Sequence, residues 1–228
     1  MTRDKTPEET RAEYVGRMGG ELGNLYFRLW QELAWLYEKW EQYVALYGTK
    51  PSRVDLLNKA APLFFRIVQD TLWDDVLLHI SRLTDPPKSG RRATLTIQSL
   101  PGLVEKQIGE ALSQLVETAK NKAEFCRDWR NRRIAHSDKA LALEERAKPL
   151  EPASRRGVKL ALAALADVLN KVSERYLGSP INFEFPMSSN RAEDLLYVID
   201  DGLKAAAERE DRIRRKEYRK EDLEGRDL

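Results

Sequence analysis

Apolar side chains recur every three or four residues along most of this chain, a spacing that commits it to helices packed on helices. Leu22, Leu25, Tyr26, Leu29, Leu33, Leu36, Trp40, Val44 and Tyr47 mark one long stripe, widened by Phe27, Trp30, Ala34 and Tyr37. Gly48 and Pro51 break it, and Phe64, Val68, Leu72, Val76, Ile80 and Leu83 lay down a second stripe that ends near Thr84. A third starts at Leu103 and passes through Ile108, Leu112, Leu115, Ala119, Ala123 and Cys126. The fourth passes through Val158, Leu162, Leu165, Leu169, Val172 and Tyr176 and stops at Gly178-Ser179-Pro180. Four such stripes predict an all-α chain built around a four-helix bundle.

Local signals add detail to that plan. Thr6-Pro7-Glu8-Glu9 has the residues of a capping box with proline in the first turn, which predicts a helix start ahead of the long stripe. Asp85-Pro86-Pro87-Lys88-Ser89-Gly90-Arg91-Arg92 cannot continue a helix and reads as a surface loop. Ile181 to Pro186 alternates apolar and polar residues, but the run is short and ends at proline, so an extended loop is expected over 179–190. Asn190 with Glu193 reads as another capped start, leading into a helix whose end, Glu208 to Asp227, is nearly all charge and is expected to project into solvent. The resulting division is a helical bundle over 1–178, an extended loop over 179–190, and a C-terminal helix with a charged tail over 191–228.

Composition narrows the function classes. With 39 basic against 37 acidic residues the net charge is only +2, so any contact with nucleic acid must come from a local patch and not from a global field. The single cysteine, Cys126, excludes an internal disulfide and a cysteine-rich zinc site and fits a reducing cytoplasm. No apolar run approaches the ~18 residues a membrane span requires, so a cytoplasmic chain without a membrane partner is expected.

One such patch stands in Phe125-Cys126-Arg127-Asp128-Trp129-Arg130-Asn131-Arg132-Arg133-Ile134-Ala135-His136-Ser137-Asp138, where four arginines precede one of only two histidines. Stepping along the third stripe from Ala119, Ala123 and Cys126 lands on Arg130 and then Ile134, so a cation stands where a leucine is expected. A charge there must meet a carboxylate, open into a cleft or face a partner subunit. His136 follows Arg130 by six residues, which on an unbroken helix turns it well away. Either the helix bends or stops near Ile134 to Ala135, or the His136 that meets a given Arg130 belongs to a second chain.

This arrangement resembles the HEPN superfamily, whose signature is an arginine, commonly followed by asparagine, aspartate or histidine, then a histidine after four to six intervening residues, late in a four-helix bundle. Arg130 alone has that spacing to His136, and Asn131 fills the favoured next position. Arg132 to Asp138, together with the earlier Ile80-Ser81-Arg82-Leu83-Thr84-Asp85, resembles the abortive-infection AbiU-like branch in particular, and the likeness extends over roughly Glu21 to Leu177. It implies a HEPN-like four-helix bundle with an additional C-terminal helix and charged tail. It further implies a homodimer in which two arginine–histidine pairs share a cleft that cuts RNA, in phage defence or as a toxin with room for a cognate antitoxin. In that chemistry His136 takes the proton from a ribose 2′-hydroxyl as the general base. Arg130 stabilises the phosphorane oxygens, Asn131 orients a phosphate or the imidazole, and Arg127, Arg132 and Arg133 hold the backbone. No metal or cofactor is required. Where some HEPN toxins carry a tyrosine that an antitoxin adenylylates, this chain has Asp138, so silencing by that route is not implied.

Blander readings compete for the same residues. Arginines near a helix C-terminus offset its macrodipole. Asp75, His79 and Arg82 share a face and form either a supporting cluster near the cleft, with Asp138, or a solvated ion-pair stripe, the default for such a trio. Cys126 reads as a small buried filler, and Trp129 as a packing residue before a base-stacking one. A noncatalytic HEPN-like dimer that binds a nucleotide or partner protein is the alternative function. A purely structural helical adaptor is a third, which requires Arg130 to pair internally with an acid such as Glu13, Asp74 or Asp75.

Overall fold

A computed structural model describes residues 5–144, 147–184 and 191–224. The described chain is all-α, and its only strands are the two-residue antiparallel pair β1 (Lys88–Ser89) and β2 (Arg92–Ala93), a minimal hairpin inside the expected surface loop. It divides into two compact units, one formed by residues 5–40 and 71–184 and the other by residues 41–70 and 191–224. Residues 41–70, which the sequence pattern assigns to the 1–178 bundle, group instead with the C-terminal helix.

The first unit opens with α1 (Pro7–Met18), whose capping box forms as expected: Glu9 N donates to Thr6 Oγ1 at 3.2 Å and Thr6 N to Glu9 Oε2 at 2.7 Å. Gly19, at φ +85°, reverses the chain into α2 (Gly20–Tyr43). The reversal brings the two backbones together at Gly23, where a Cβ would lie 2.6 Å from Val15 Cα and 2.7 Å from the Tyr14 carbonyl oxygen. Tyr14 accordingly meets Tyr26, Phe27 and Trp30 edge-on. The stripe of α2 is buried at Leu22, Tyr26, Leu29, Leu33, Leu36 and Trp40.

Beyond α3 (Pro51–Ala60), α4 (Pro62–Leu83) returns to the first unit and ends where the proline loop begins, burying Val76, Leu77, Ile80 and Leu83. Two ion pairs cross from α2 to α4: Lys39 Nζ to Asp75 Oδ2 at 2.6 Å, and His79 Nε2 to Glu32 Oε2 at 2.7 Å. The second is close but not aligned as a linear hydrogen bond. His79 is 4% exposed, so the solvated stripe expected of Asp75, His79 and Arg82 is not what forms: both Asp75 and His79 turn to α2. Burial holds the His79 imidazole below its ordinary pKa, against the opposing pull of Glu32.

α5 (Lys106–Lys122) and α6 (Glu124–Trp129) carry the third stripe, with Leu112, Val116, Ala119, Ala123 and Cys126 buried. After the short α7 (Lys139–Ala142), α8 (Arg155–Leu177) supplies the fourth, capped by Ser154 and ended by Gly178 at φ +85°. α5 packs along α8, and Arg175 pairs with Glu105 at 2.7 Å. The bundle of α2, α4, α5–α6 and α8 is thus the four-stripe arrangement expected.

In the second unit, α9 (Ala192–Arg214) lies against α3 and buries Ala192 and Leu196 with Ala45, Leu46, Leu57 and Phe65. Arg53 donates to the Ala45 carbonyl at 2.6 Å and pairs with Glu193 at 3.4 Å. Asn190, the expected cap, lies outside the described residues. The charged tail does not continue as one projecting helix. It breaks after Arg214, and α10 (Lys220–Leu223) folds back so that Arg212 meets Asp222 at 2.6 Å, a contact that holds the Asp222 carboxyl well below the ordinary carboxylate range.

Two measurements test these contacts. Gly23→Ala puts a methyl group against backbone that cannot yield, and the protein should lose about 1–3 kcal/mol in urea unfolding. Because the folded pKa of His79 lies below its unfolded value of 6.5, the unfolded chain binds the extra proton. The stability this confers is complete above pH 6.5 and is lost as pH falls through the folded value. Urea unfolding of the wild type should therefore weaken between pH 7.5 and pH 5.5 more than that of His79→Gln.

Candidate functional site

The Arg130 problem is solved by a carboxylate from the loop that follows α4. Nη1 of Arg130 donates to both Oδ1 and Oδ2 of Asp85 at 2.6 Å, and Nε donates to Asn131 Oδ1 at 3.0 Å. The two charged side chains are 21% and 24% exposed, so the pair sits at the edge of the bundle, partly withdrawn from water. Internal pairing is what the adaptor reading requires, but the acid is Asp85 and not Glu13, Asp74 or Asp75. Nothing in the helical period identifies Asp85, because it stands past the last turn of α4, in the loop.

That loop end is braced by side chains that take up the last carbonyls of α4. Thr96 Oγ1 donates to the carbonyls of Leu83 at 3.1 Å and Asp85 at 2.6 Å. Gln98 Nε2 donates to the Thr84 carbonyl at 2.8 Å, and Arg127 Nη2 to the same oxygen at 3.1 Å. The Leu83 carbonyl is one that the helix C-terminus leaves unsatisfied, and those of Thr84 and Asp85 follow it in the loop. Arg127 also pairs with Glu124 at 2.9 Å, so it serves as a helix-end cap.

Past Trp129 the helix widens into a π turn over Arg130–Ile134, closed by Ala135 N donating to the Arg130 carbonyl at 2.8 Å. Such single-turn widenings are rare and often stand at functional sites, and of the two in this chain the other, at Val44–Gly48, carries no charged side chain. The helix therefore stops at Ala135, within the range expected, and His136 is the next residue, exposed to solvent. Arg130 and His136 bracket the π turn, and among the described residues they are not joined by a hydrogen bond.

The other arginines divide between two jobs. Arg132 is locked: it meets Asp128 at 3.5 Å, Asp138 at 3.4 Å and the carbonyls of Pro149 at 3.3 Å and Lys148. Asp128 Oδ2 accepts from Glu151 N at 2.9 Å, and Trp129 Nε1 donates to the Glu151 carbonyl at 2.8 Å. Together they pin the segment leading to α8, so Trp129 is a packing residue. Arg133 is exposed, its guanidinium 5.0 Å from the centre of the Trp129 ring. Asp138 caps α7 by accepting from Leu141 N at 3.0 Å, and that bond, with Arg132, keeps its carboxyl below the ordinary range. Cys126 is fully buried beneath the site and its thiol is pushed up by burial, the state of a filler and not a nucleophile. Arg82 is exposed on α4. Among the described residues no group of His, Cys, Asp and Glu is placed to hold a metal ion, and no helix is long and apolar enough to cross a membrane.

Arg132→Ala removes contacts that tie the segment after His136 to α6. It should cost about 1–2 kcal/mol, and hydrogen exchange should quicken at the Glu151 and Leu141 amides while those of α8 keep their protection.

Residues 20–197, more than three-quarters of the chain, match the HEPN family profile described as AbiU2. No curated protein and no solved structure gives a match. The match spans the four bundle helices, the braced end of α4 and the Arg130–His136 turn, and by it this chain belongs to the AbiU2 family of HEPN proteins.

Proposed function

We propose that this HEPN module, whose family ties it to abortive infection, is a metal-independent endoribonuclease acting as a homodimer in the cytoplasm, in phage defence or as the toxin of a pair with a cognate antitoxin. The observation that carries the reading is the π turn with an anchored arginine at its head and an exposed histidine just past its foot. Arg130 keeps Nη2 uncommitted among the described residues while Nε and Nη1 are held. A planar, permanently charged donor fixed in this way suits the non-bridging oxygens of a phosphate as charge builds on them.

The reaction follows from these groups. His136 removes the proton of a ribose 2′-hydroxyl, the 2′-oxygen attacks the neighbouring phosphorus, the bond to the 5′-oxygen of the next nucleotide breaks, that oxygen takes a proton from water, and the imidazolium returns its proton to solvent. A 2′,3′-cyclic phosphate and a 5′-hydroxyl result, and DNA, without the attacking hydroxyl, is not cut. No cofactor enters. Asn131 acts through Arg130, its Oδ1 accepting the hydrogen bond that Nε donates. Arg133 is the exposed cation left to steer the RNA backbone, Arg127 and Arg132 being engaged with Glu124, Asp128 and Asp138.

That engagement favours a second reading, in which the dimer binds a nucleotide or partner protein without cutting RNA, since the patch of free positive charge is smaller than four arginines suggest. Incubation of purified protein with RNA in a chelator separates the two. Under the nuclease reading, cyclic-phosphate ends accumulate, and His136→Ala and Arg130→Gln each slow cleavage by about 10²–10⁴-fold with the helical circular-dichroism signal unchanged. Cleavage by His136→Ala at the wild-type rate would remove the nuclease reading.

A further inference from the structure

Asp85 closes the sequence phrase Ile80–Asp85 without any chemistry attached to it, yet in the structure it is the residue that holds Arg130. Its hold is specific. Both carboxylate oxygens take the same terminal nitrogen, Nη1, at 2.6 Å, and Asn131 takes Nε at 3.0 Å. Because a guanidinium is planar, fixing Nε and Nη1 fixes the direction in which Nη2 points. The carboxylate is itself on a firm mount, since the Asp85 carbonyl accepts from Thr96 at 2.6 Å and the preceding Thr84 carbonyl accepts from Gln98 and Arg127.

From this geometry we infer that Asp85 is a positioning residue of the RNA-cleaving site, an inference that rests on the nuclease reading. Asp85 aims Nη2 of Arg130 at a non-bridging oxygen of the scissile phosphate and keeps the guanidinium in register as the negative charge develops there. It does not touch the substrate. A carboxylate acting as a latch, competing with phosphate for the arginine, would be expected to occupy the paired Nη1 and Nη2 edge; here it leaves Nη2 open.

The test compares the wild type with Asp85→Asn, Asp85→Glu, Arg130→Gln and the Asp85→Asn/Arg130→Gln double variant, in full-length protein under single-turnover conditions in chelator. Asp85→Asn should lower the maximal cleavage rate by about 10–100-fold, the loss expected when a reacting group drifts by ~1 Å, with half-saturating RNA concentration shifting much less. In the Arg130→Gln background the same change should cost no more than about 2-fold, because the two residues act as one unit. Asp85→Glu should restore part of the rate. Wild-type or faster cleavage by Asp85→Asn overturns the inference, the faster case indicating a latch. Losses that multiply in the double variant overturn it as well, since they mark a structural role only. A readout independent of cleavage is the nitrogen-15 signal of Arg130, assigned by Arg130→Lys: separate Nη signals, kept apart by hindered rotation, should merge in Asp85→Asn. If the wild type leaves RNA intact, the nuclease reading fails on its own account, and an unchanged Arg130 signal in Asp85→Asn shows separately that Asp85 does not hold the guanidinium.

Discussion

A guanidinium set into an apolar helical stripe is the constraint around which the rest of this molecule is arranged. Arg130 follows Ala119, Ala123 and Cys126 on the face that α5 and α6 turn toward the core, and a charge there is tolerated only with a partner. The partner has to come from another element, and the end of α4 provides it in Asp85. Holding that end in place requires further polar groups. Thr96, Gln98 and Arg127 take up the carbonyls of Leu83, Thr84 and Asp85, so the C-terminus of α4 is both capped and tied to α6. One misplaced-looking cation thereby organises the corner of the bundle where the candidate chemistry stands.

The π turn stands where several cations crowd one helix end. Arg130, at its head, is held by Asp85, and Arg132, within it, by Asp128, Asp138 and two loop carbonyls, and the turn is one residue wider than an α turn. The widening ends the helix at Ala135 and releases His136 to the surface. The basic patch correspondingly shrinks. Of the arginines in this segment, only Arg133 is exposed with its guanidinium resting on Trp129, while the others take part in ion pairs inside the chain.

Charge is also spent on joining helices elsewhere in the first unit. Lys39 with Asp75 and Glu32 with His79 bridge α2 and α4, and the second pair places an imidazole where water is nearly excluded. In the second unit the same economy appears in Arg53 with Glu193 and in Arg212 with Asp222, which turns a run of charge back on itself. A chain with 39 basic and 37 acidic residues has the material for such pairs.

What could be read without coordinates is whatever depends on neighbours a few positions away. The period of the apolar residues marked the bundle helices, Thr6 and Glu9 their own capping box, Gly178 a stop, and the prolines after Asp85 a loop, because each of these is decided by backbone geometry within one or two turns. The arginine–histidine spacing could be read for the same reason. Asp85 as the partner of Arg130, the burial of His79, the locking of Arg132 and the grouping of residues 41–70 with α9 could not, since each joins residues far apart in the chain. Helical period says which face a side chain occupies but not which other helix will meet that face, and a charge at such a position announces a need for a counter-charge without naming it. Tertiary packing alone chose among the acids, and by choosing Asp85 it determined which nitrogen of Arg130 remains open.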